Sequence, residues 1–248
     1  MNPAGKSYGE SMAAIYDLIY PDSGEAKLAA EFVAGLCPED GTVVELGIGT
    51  GRVATHIAGT GRKVYGIDSS PEMLAKLRER DPEGRITALE GDFSATTVIE
   101  DADVVLMAIN TLGALLTQEA QVETVLRIGE QLRDGGAAVL ETIGPGEMYR
   151  RTYPVTSAQA LSADSMVIAT AQADKASQTA VATYCVLGSG GLRIGQEAGR
   201  HIWPSELDLM AKLAGLRLEG RWSGWRREQP TGDHDRVISV YRKPGSAS

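Results

Sequence analysis

The sequence predicts a doubly wound α/β domain interrupted late in the chain by an antiparallel β insertion. Three observations predict it. From about residue 42 to 143 short apolar strands alternate with amphipathic helices, and right-handed crossovers turn that rhythm into a parallel sheet covered on both faces. Between about residues 145 and 203 consecutive strand patterns replace the alternation. After residue 203 a helix and two strands resume it.

The elements follow in order. From Glu10 to Tyr20, apolar residues fall at Met12, Ile15, Tyr16, Ile19 and Tyr20, the spacing of an amphipathic helix. "PDSG" interrupts it and "EAKLAAEFVAGL" makes a second helix, so residues 8–36 form an N-terminal helical segment. "TVVEL" reads as a strand, "RVATHIA" as a helix and "KVYGI" as a strand. "SPEMLAKLRER" is a helix with Pro71 in its first turn, where proline costs no hydrogen bond. "RITALEG" is a strand, and the continuous apolar run "DADVVLMAI" is a strand buried on both faces. "QEAQVETVLRIGEQL" is a helix stopped by Asp134, Gly135 and Gly136, and "AAVLETI" is the next strand.

The insertion holds three strand patterns, "SMVIATAQAD", "QTAVATYCVL" and "GLRIGQEAGRHIW", with "DKAS" and "GSGG" at their turns. "PSELDLMAKLAG" is a helix that Ser205 can cap, with Asp208 three residues on and Gly215 ending it. "LRLEGRW" and "DRVISVYR" close the sheet at seven main strands. The first seven residues and the tail "KPGSAS" read as frayed ends. The whole chain, 1–248, reads as a single domain.

Composition bounds the function. With 43% apolar and 23% charged residues the 248-residue chain is globular. A net charge of −9 leaves no basic footprint for a phosphate backbone, so nucleic acid is not an expected partner. The two cysteines, Cys37 and Cys185, stand far apart without a CxxC or CxxH pattern. Free thiols in a reducing cytoplasm, and no metal site, are expected. No apolar run is long enough for a signal peptide or a membrane span. Oligomeric state is not legible.

The chemistry begins at "VVELGIGTGRVATHIA", residues 43–58. A glycine-rich turn between a strand and a helix lets a ligand approach the backbone, and the free amides at the helix start favour an anion. Dinucleotide folds use G-x-G-x-x-G. Here Gly47, Gly49 and Gly51 make G-x-G-x-G, with Arg52 where the third dinucleotide glycine belongs and Glu45 two places before the first. Asp68 ends the second strand, 21 residues after Gly47. An acid there can bind both ribose hydroxyls, which by itself also fits NAD.

"ELGIGTGR" resembles the first motif of the class I S-adenosylmethionine-dependent methyltransferases. The likeness continues in order through "GIDSS", "GDF", "MAINTLGALL" and "LRDGGAAVLET", over about residues 8–145 and again from about 200. It implies a seven-stranded Rossmann-like methyltransferase sheet, S-adenosylmethionine as cofactor and S-adenosylhomocysteine as product. By the resemblance Gly47, Gly49, Gly51 and Arg52 cradle the amino acid end of the cofactor, and Glu45 orders the loop or meets the ammonium through water. Asp68, with Ser69 and Met73 after it, takes the ribose. Asp92 and Phe93 take the adenine, and Ala108 lines the pocket. "YDLIY" is similar to the lid of aminosugar N-methyltransferases, which puts Tyr16 over the cofactor.

The nearest resemblance is to actinobacterial natural-product methyltransferases, of the aminosugar N,N-dimethyltransferase and peptide α-N-methyltransferase types. It implies transfer to a small-molecule or peptide acceptor, with an amine nitrogen first and an O- or C-acceptor, or a repurposed fold, as alternatives. Some aminosugar members carry a histidine where this chain has Ala114, so a nucleotide-sugar amine is not assured, although "YRR" at 149–151 could meet a diphosphate. Candidate catalytic groups are His201, where the insertion returns to the cleft, and Glu141, near the C-terminal end of the fifth strand, where α/β sheets place ligands. Tyr20, Asn110, Tyr149 and Trp203 are candidate acceptor contacts. His56 and His234 read as structural or solvated.

Overall fold

A computed structural model describes residues 9, 11–21, 24–144, 146–230 and 236–245. The N-terminal segment holds a short helix α1 (Tyr16–Ile19) and α2 (Glu25–Ala34). Then come β1 (Thr42–Leu46), α3 (Ala54–Ala58), β2 (Lys63–Asp68), α4 (Pro71–Arg80), β3 (Ile86–Glu90) and β4 (Ala102–Met107). A 3-10 turn (Thr111–Ala114), α5 (Gln118–Gln131), β5 (Leu132–Ile143) and α6 (Gly146–Arg150) follow. Strands β6 (Val155–Ser162), β7 (Ser165–Asp174), β8 (Thr179–Gly188) and β9 (Gly191–Arg200) lead to α7 (Pro204–Leu213), β10 (Arg217–Trp222) and β11 (Arg236–Arg242).

The main sheet has seven strands in the order β10-β11-β5-β4-β1-β2-β3. Neighbours from β3 to β5 run parallel, and β11 lies antiparallel between β5 and β10. Alternation of side chains along each strand explains the double winding. Val43, Val104, Leu106 and Val139 point to one face, where α2, α3 and Leu74 and Leu77 of α4 pack. Val44, Val105, Met107 and Leu140 point to the other, under α5 and α7. A strand buried on both faces has to be apolar throughout, which is why "VVLM" in β4 carries no polar position.

The second sheet, β6-β7-β8-β9, is an antiparallel meander between β5 and α7. It meets the N-terminal segment in a third apolar cluster of Met12, Ala13, Ile15, Met73, Val167 and Val186. No helix among the described residues is long and apolar enough to cross a membrane.

Several local expectations change. The helix read from Glu10 to Tyr20 breaks at residues 13–15. The break brings Met12 and Ile15 together against β9, where the position of a side-chain Cβ on Gly195 is 2.7 Å from Met12 Sδ and 2.5 Å from Ile15 Cδ1. The insertion has a fourth strand, β6, whose small, mostly exposed residues carry no apolar alternation. Helix α5 ends at Gln131, before the Asp134-Gly135-Gly136 stop. Helix α7 is capped from Trp203, not Ser205: Pro204 starts it, and the Glu206 carboxylate accepts from the Trp203 N–H at 3.4 Å. Asp208 instead pairs with Arg221 at 2.5 Å and accepts from the Tyr241 hydroxyl at 2.7 Å. Lys243, read as the start of a frayed tail, donates from Nζ to the Leu132 carbonyl at 2.6 Å, while residues 246–248 and the first seven residues lie outside the described residues.

Candidate active site

The glycine turn follows β1 directly. Gly47, Gly49 and Gly51 have φ of +70°, +54° and +73°, a region that glycine enters without strain. A Cβ on Gly47 would lie 2.4 Å from Thr111 Cγ2, and one on Gly51 2.1 Å from Leu77 Cδ1. Gly49 differs, because among the described residues no atom lies within 4 Å of its Cβ position, which leaves that side of the turn open to a ligand. The turn is pinned from below. Gly47 and Ile48 donate to the Ile67 carbonyl at 2.9 and 3.0 Å. Asp68 accepts from the Gly49 N–H at 2.8 Å with one oxygen and from the Ser70 N–H at 2.9 Å with the other. Burial raises the Asp68 carboxyl above its usual range, and these amides oppose the shift. Arg80 donates to the carbonyl and hydroxyl of Thr50 at 3.1 and 2.7 Å.

Glu45 lies beneath the turn, 4% exposed. Burial pushes its carboxyl up to about 8, while the Ala54 amide and the Arg52 guanidinium pull it down. Among the described residues its Oε2 is buried without a hydrogen-bond partner, as is Arg52 Nε. An ionised carboxylate in that position calls for a donor.

The N-terminal segment covers this region. Asp17 pairs with Arg80 at 3.2 Å and Lys76 at 3.5 Å, and Arg52 donates to the Tyr20 carbonyl at 2.6 Å. The Tyr16 ring lies 5.1 Å from that of Tyr20. Burial raises the Tyr16 hydroxyl well above its usual range; Arg52 opposes this, and Glu45 and Glu197 add to it. Tyr16 therefore stands between the glycine turn and β9. The Tyr20 hydroxyl donates to Glu197 at 3.2 Å, and the Tyr184 hydroxyl donates to the same carboxylate at 2.5 Å. Burial raises the Glu197 carboxyl, and the two hydroxyls oppose the rise. Sequence reasoning missed Glu197 and Tyr184, because nothing local distinguishes them from ordinary strand residues.

The C-terminal ends of β4 and β5 form the third wall. Ile109 and Asn110 have φ of +52° and +58°, a strained region for a β-branched residue. The strain is held by side chains. Glu141 accepts from the Ile109 N–H at 2.6 Å, and Asn110 Oδ1 accepts from the Ile143 N–H at 2.9 Å. His201 Nδ1 lies 3.3 Å from the Ile143 carbonyl. Burial raises the Glu141 carboxyl, opposed by the Ile109 amide and by Arg236, whose guanidinium is 3.8 Å away and pairs with Glu25 at 2.5 Å. Tyr20, Arg52, Ile109, Glu141 and Arg236 border a cavity of about 310 Å³. The structure thus brings Glu141, Asn110 and His201 into one network and Tyr20 and Arg52 to its edge.

Other candidates have plainer surroundings. Asp92 accepts from the N–H and hydroxyl of Ser94 at 2.9 and 2.6 Å. Phe93 packs on the core under α5. Met73 and Ala108 are buried, and Ser69 is half-buried beside Asp68. Tyr149 and Trp203 lie with ring centroids 5.7 Å apart, and the Tyr149 hydroxyl donates to the Lys175 carbonyl at 2.6 Å. His56 borders a smaller pocket of about 120 Å³ with Asp17, Arg52 and Arg80. His234 lies outside the described residues.

A family profile described as a methyltransferase domain matches residues 43–136. Cypemycin N-terminal methyltransferase from a Streptomyces species is 32% identical over 221 residues, 86% of this chain and 88% of that protein. The chain belongs to the S-adenosylmethionine-dependent methyltransferases. The CcbJ methyltransferase from Streptomyces caelestis superposes on this methyltransferase with a TM-score of 0.88 at 32% identity, covering 97% of this chain and 99% of that one. The fold also matches that of S-adenosylmethionine-bound CalS10, described as an amino pentose methyltransferase from Micromonospora echinaspora. There the TM-score is 0.72 and identity 20%, over 92% of this chain and 96% of that one.

The residues present fit the cofactor of the family. The open side of Gly49 admits a ligand against the backbone. The unpartnered Glu45 Oε2 can meet an ammonium group directly or through water. Among the described residues no cluster of three or more histidine, cysteine or acidic side chains could hold a metal ion.

Proposed function

We propose that this methyltransferase methylates an amine nitrogen of a small molecule or peptide in a natural-product pathway. When bound, S-adenosylmethionine supplies an electrophilic methyl group on a sulfonium for in-line displacement. The protein's task is alignment and exclusion of water. In this reading the Gly47–Gly51 turn and Arg52 hold the amino acid end, with Glu45 beneath it. Asp68, flanked by Ser69 and Met73, takes the ribose hydroxyls. Asp92 and the Phe93 amide take the adenine, and Ala108 closes the pocket wall. Residues 8–36 act as the lid, with Tyr16 over the cofactor and the Asp17–Arg80 pair fastening it. Residues 145–203 form the acceptor-side insertion. Tyr20, Asn110, Glu141 and His201 face the acceptor, while Tyr149 and Trp203 form an outer aromatic edge.

The observation that carries the amine reading is the character of the acceptor side. It offers a buried carboxylate, Glu141, and a partly buried one, Glu197, while the His201 ring sits against a backbone carbonyl. Carboxylates attract a cationic amine, and a carboxylate whose own proton affinity is raised by burial can take the ammonium proton, freeing the nitrogen lone pair to attack the methyl carbon as S-adenosylhomocysteine leaves. The likeness to a relative named as an N-terminal methyltransferase supports the same reading, since it spans 86% of this chain.

The test is methyl transfer from labelled S-adenosylmethionine to a panel of aminosugars, peptide N-termini, phenols and carboxylates, read by mass spectrometry. Label on nitrogen is expected. Label on oxygen or carbon would overturn the amine reading and make His201 and Glu141 the groups to test as bases.

A further inference from the structure

We infer that Glu197 is the counter-ion for the acceptor's ammonium group, aimed by two glycines and primed by Tyr20 and Tyr184. The inference rests on the amine reading above and names the side chain that selects the amine.

The placement follows from strand geometry. Gly195, Glu197 and Gly199 alternate on one face of β9. A Cβ on Gly195 would press on Met12 and Ile15 of the N-terminal segment. A Cβ on Gly199 would lie 3.1 Å from the Gly113 carbonyl, in the turn after β4. Two close approaches clamp the strand between the lid and the end of β4. The carboxylate between them is directed at the junction of lid, main sheet and insertion. The strand register puts Ala169, Ala171 and Ala182 on the same face as Tyr184, so small side chains flank the carboxylate on the side away from the Tyr184 ring.

The electrostatics point the same way. Among the described residues no lysine, arginine or histidine pairs with Glu197, and both its donors are neutral hydroxyls. A largely buried carboxylate is costly unless a cation balances it. Two hydroxyls satisfy part of its accepting capacity and leave room for more donors. Glu141 is different, because it is committed to the Ile109 amide and lies near Arg236.

The experiment uses the full chain loaded with S-adenosylhomocysteine and labelled with ¹³C at glutamate carboxyls. The Glu197 resonance is assigned by its loss in Glu197→Gln. Propylammonium chloride is titrated against 1-propanol, a neutral analogue of similar shape. The Glu197 resonance should move saturably with propylammonium and at least about threefold less with propanol, as a charge-assisted contact requires. Glu197→Gln should weaken propylammonium binding at least about tenfold while S-adenosylhomocysteine still binds, and Glu141→Gln should weaken it less than about threefold. Equal movement with both probes, no movement, or a larger loss in Glu141→Gln would each overturn the assignment. Because the probe is not methylated in this complex, the titration judges Glu197 independently of where the acceptor panel is labelled.

Discussion

Replacing Asp68 by alanine separates the two tasks of that carboxylate. In the protein alone it ties the Gly49 and Ser70 amides at 2.8 and 2.9 Å. The Ser70 amide is buried and would lose its acceptor, whereas Gly49 is half-buried and water can replace the carboxylate there, so the folding cost should be about 1–3 kcal/mol. For a chain of this size that lowers Tm by roughly 2–12 °C. The loss for the cofactor is larger. Two charge-assisted bonds to ribose hydroxyls, at about 1.5–3 kcal/mol each, total about 3–6 kcal/mol, or roughly 10²- to 10⁴-fold in Kd. Calorimetry with S-adenosylhomocysteine measures the second quantity and thermal unfolding the first. A variant that stays folded and binds within about fivefold of the parent protein would refute the ribose assignment.

Three further outcomes are expected. Glu45 has a raised carboxyl in the folded protein, so the folded state keeps a proton that the unfolded state releases. The contribution of Glu45 to the stability of the cofactor-free protein should therefore be full below pH 4.5 and be lost as pH rises to about 8. Glu45→Gln should flatten that slope in urea unfolding at a series of pH values. Glu141→Ala should cost about 1–3 kcal/mol by leaving the Ile109 N–H unpaired, whereas Glu141→Gln keeps an accepting oxygen and most of the stability; urea unfolding of both variants checks this. Gly195→Val should cost about 1–3 kcal/mol by overpacking Met12 and Ile15, and limited proteolysis should show faster cleavage within residues 11–21.

The cofactor half was legible because its signals are local. Three glycines, an acid two places before them and another 21 residues on lie within one βαβ unit. The proposed acceptor half was less legible because its partners meet only in the folded chain. Tyr20 and Glu197 are 177 residues apart in sequence and touch through the second sheet. The left-handed pair at Ile109 and Asn110 contradicts the local preference of isoleucine, as functional corners often do. Strand β6 was hidden because both its faces are largely exposed, leaving no period of two to detect. Ser205 looked like a cap by residue type, but Pro204 in the first helical position moved the helix start to Trp203.

The two glycine contacts of β9 have a consequence for how such an enzyme changes over generations. Its grip on the lid and on the turn after β4 is made largely by backbone. Ala169, Ala171 and Ala182, on the same face of the insertion, are not among the residues that meet those two glycines most closely. On the proposed reading, substitutions there would enlarge, narrow or recharge the acceptor surface and leave the glycine turn and Asp68 in place. If the insertion forms the acceptor side as proposed, a new acceptor could be acquired there one mutation at a time, and a library confined to those three alanines tests this directly.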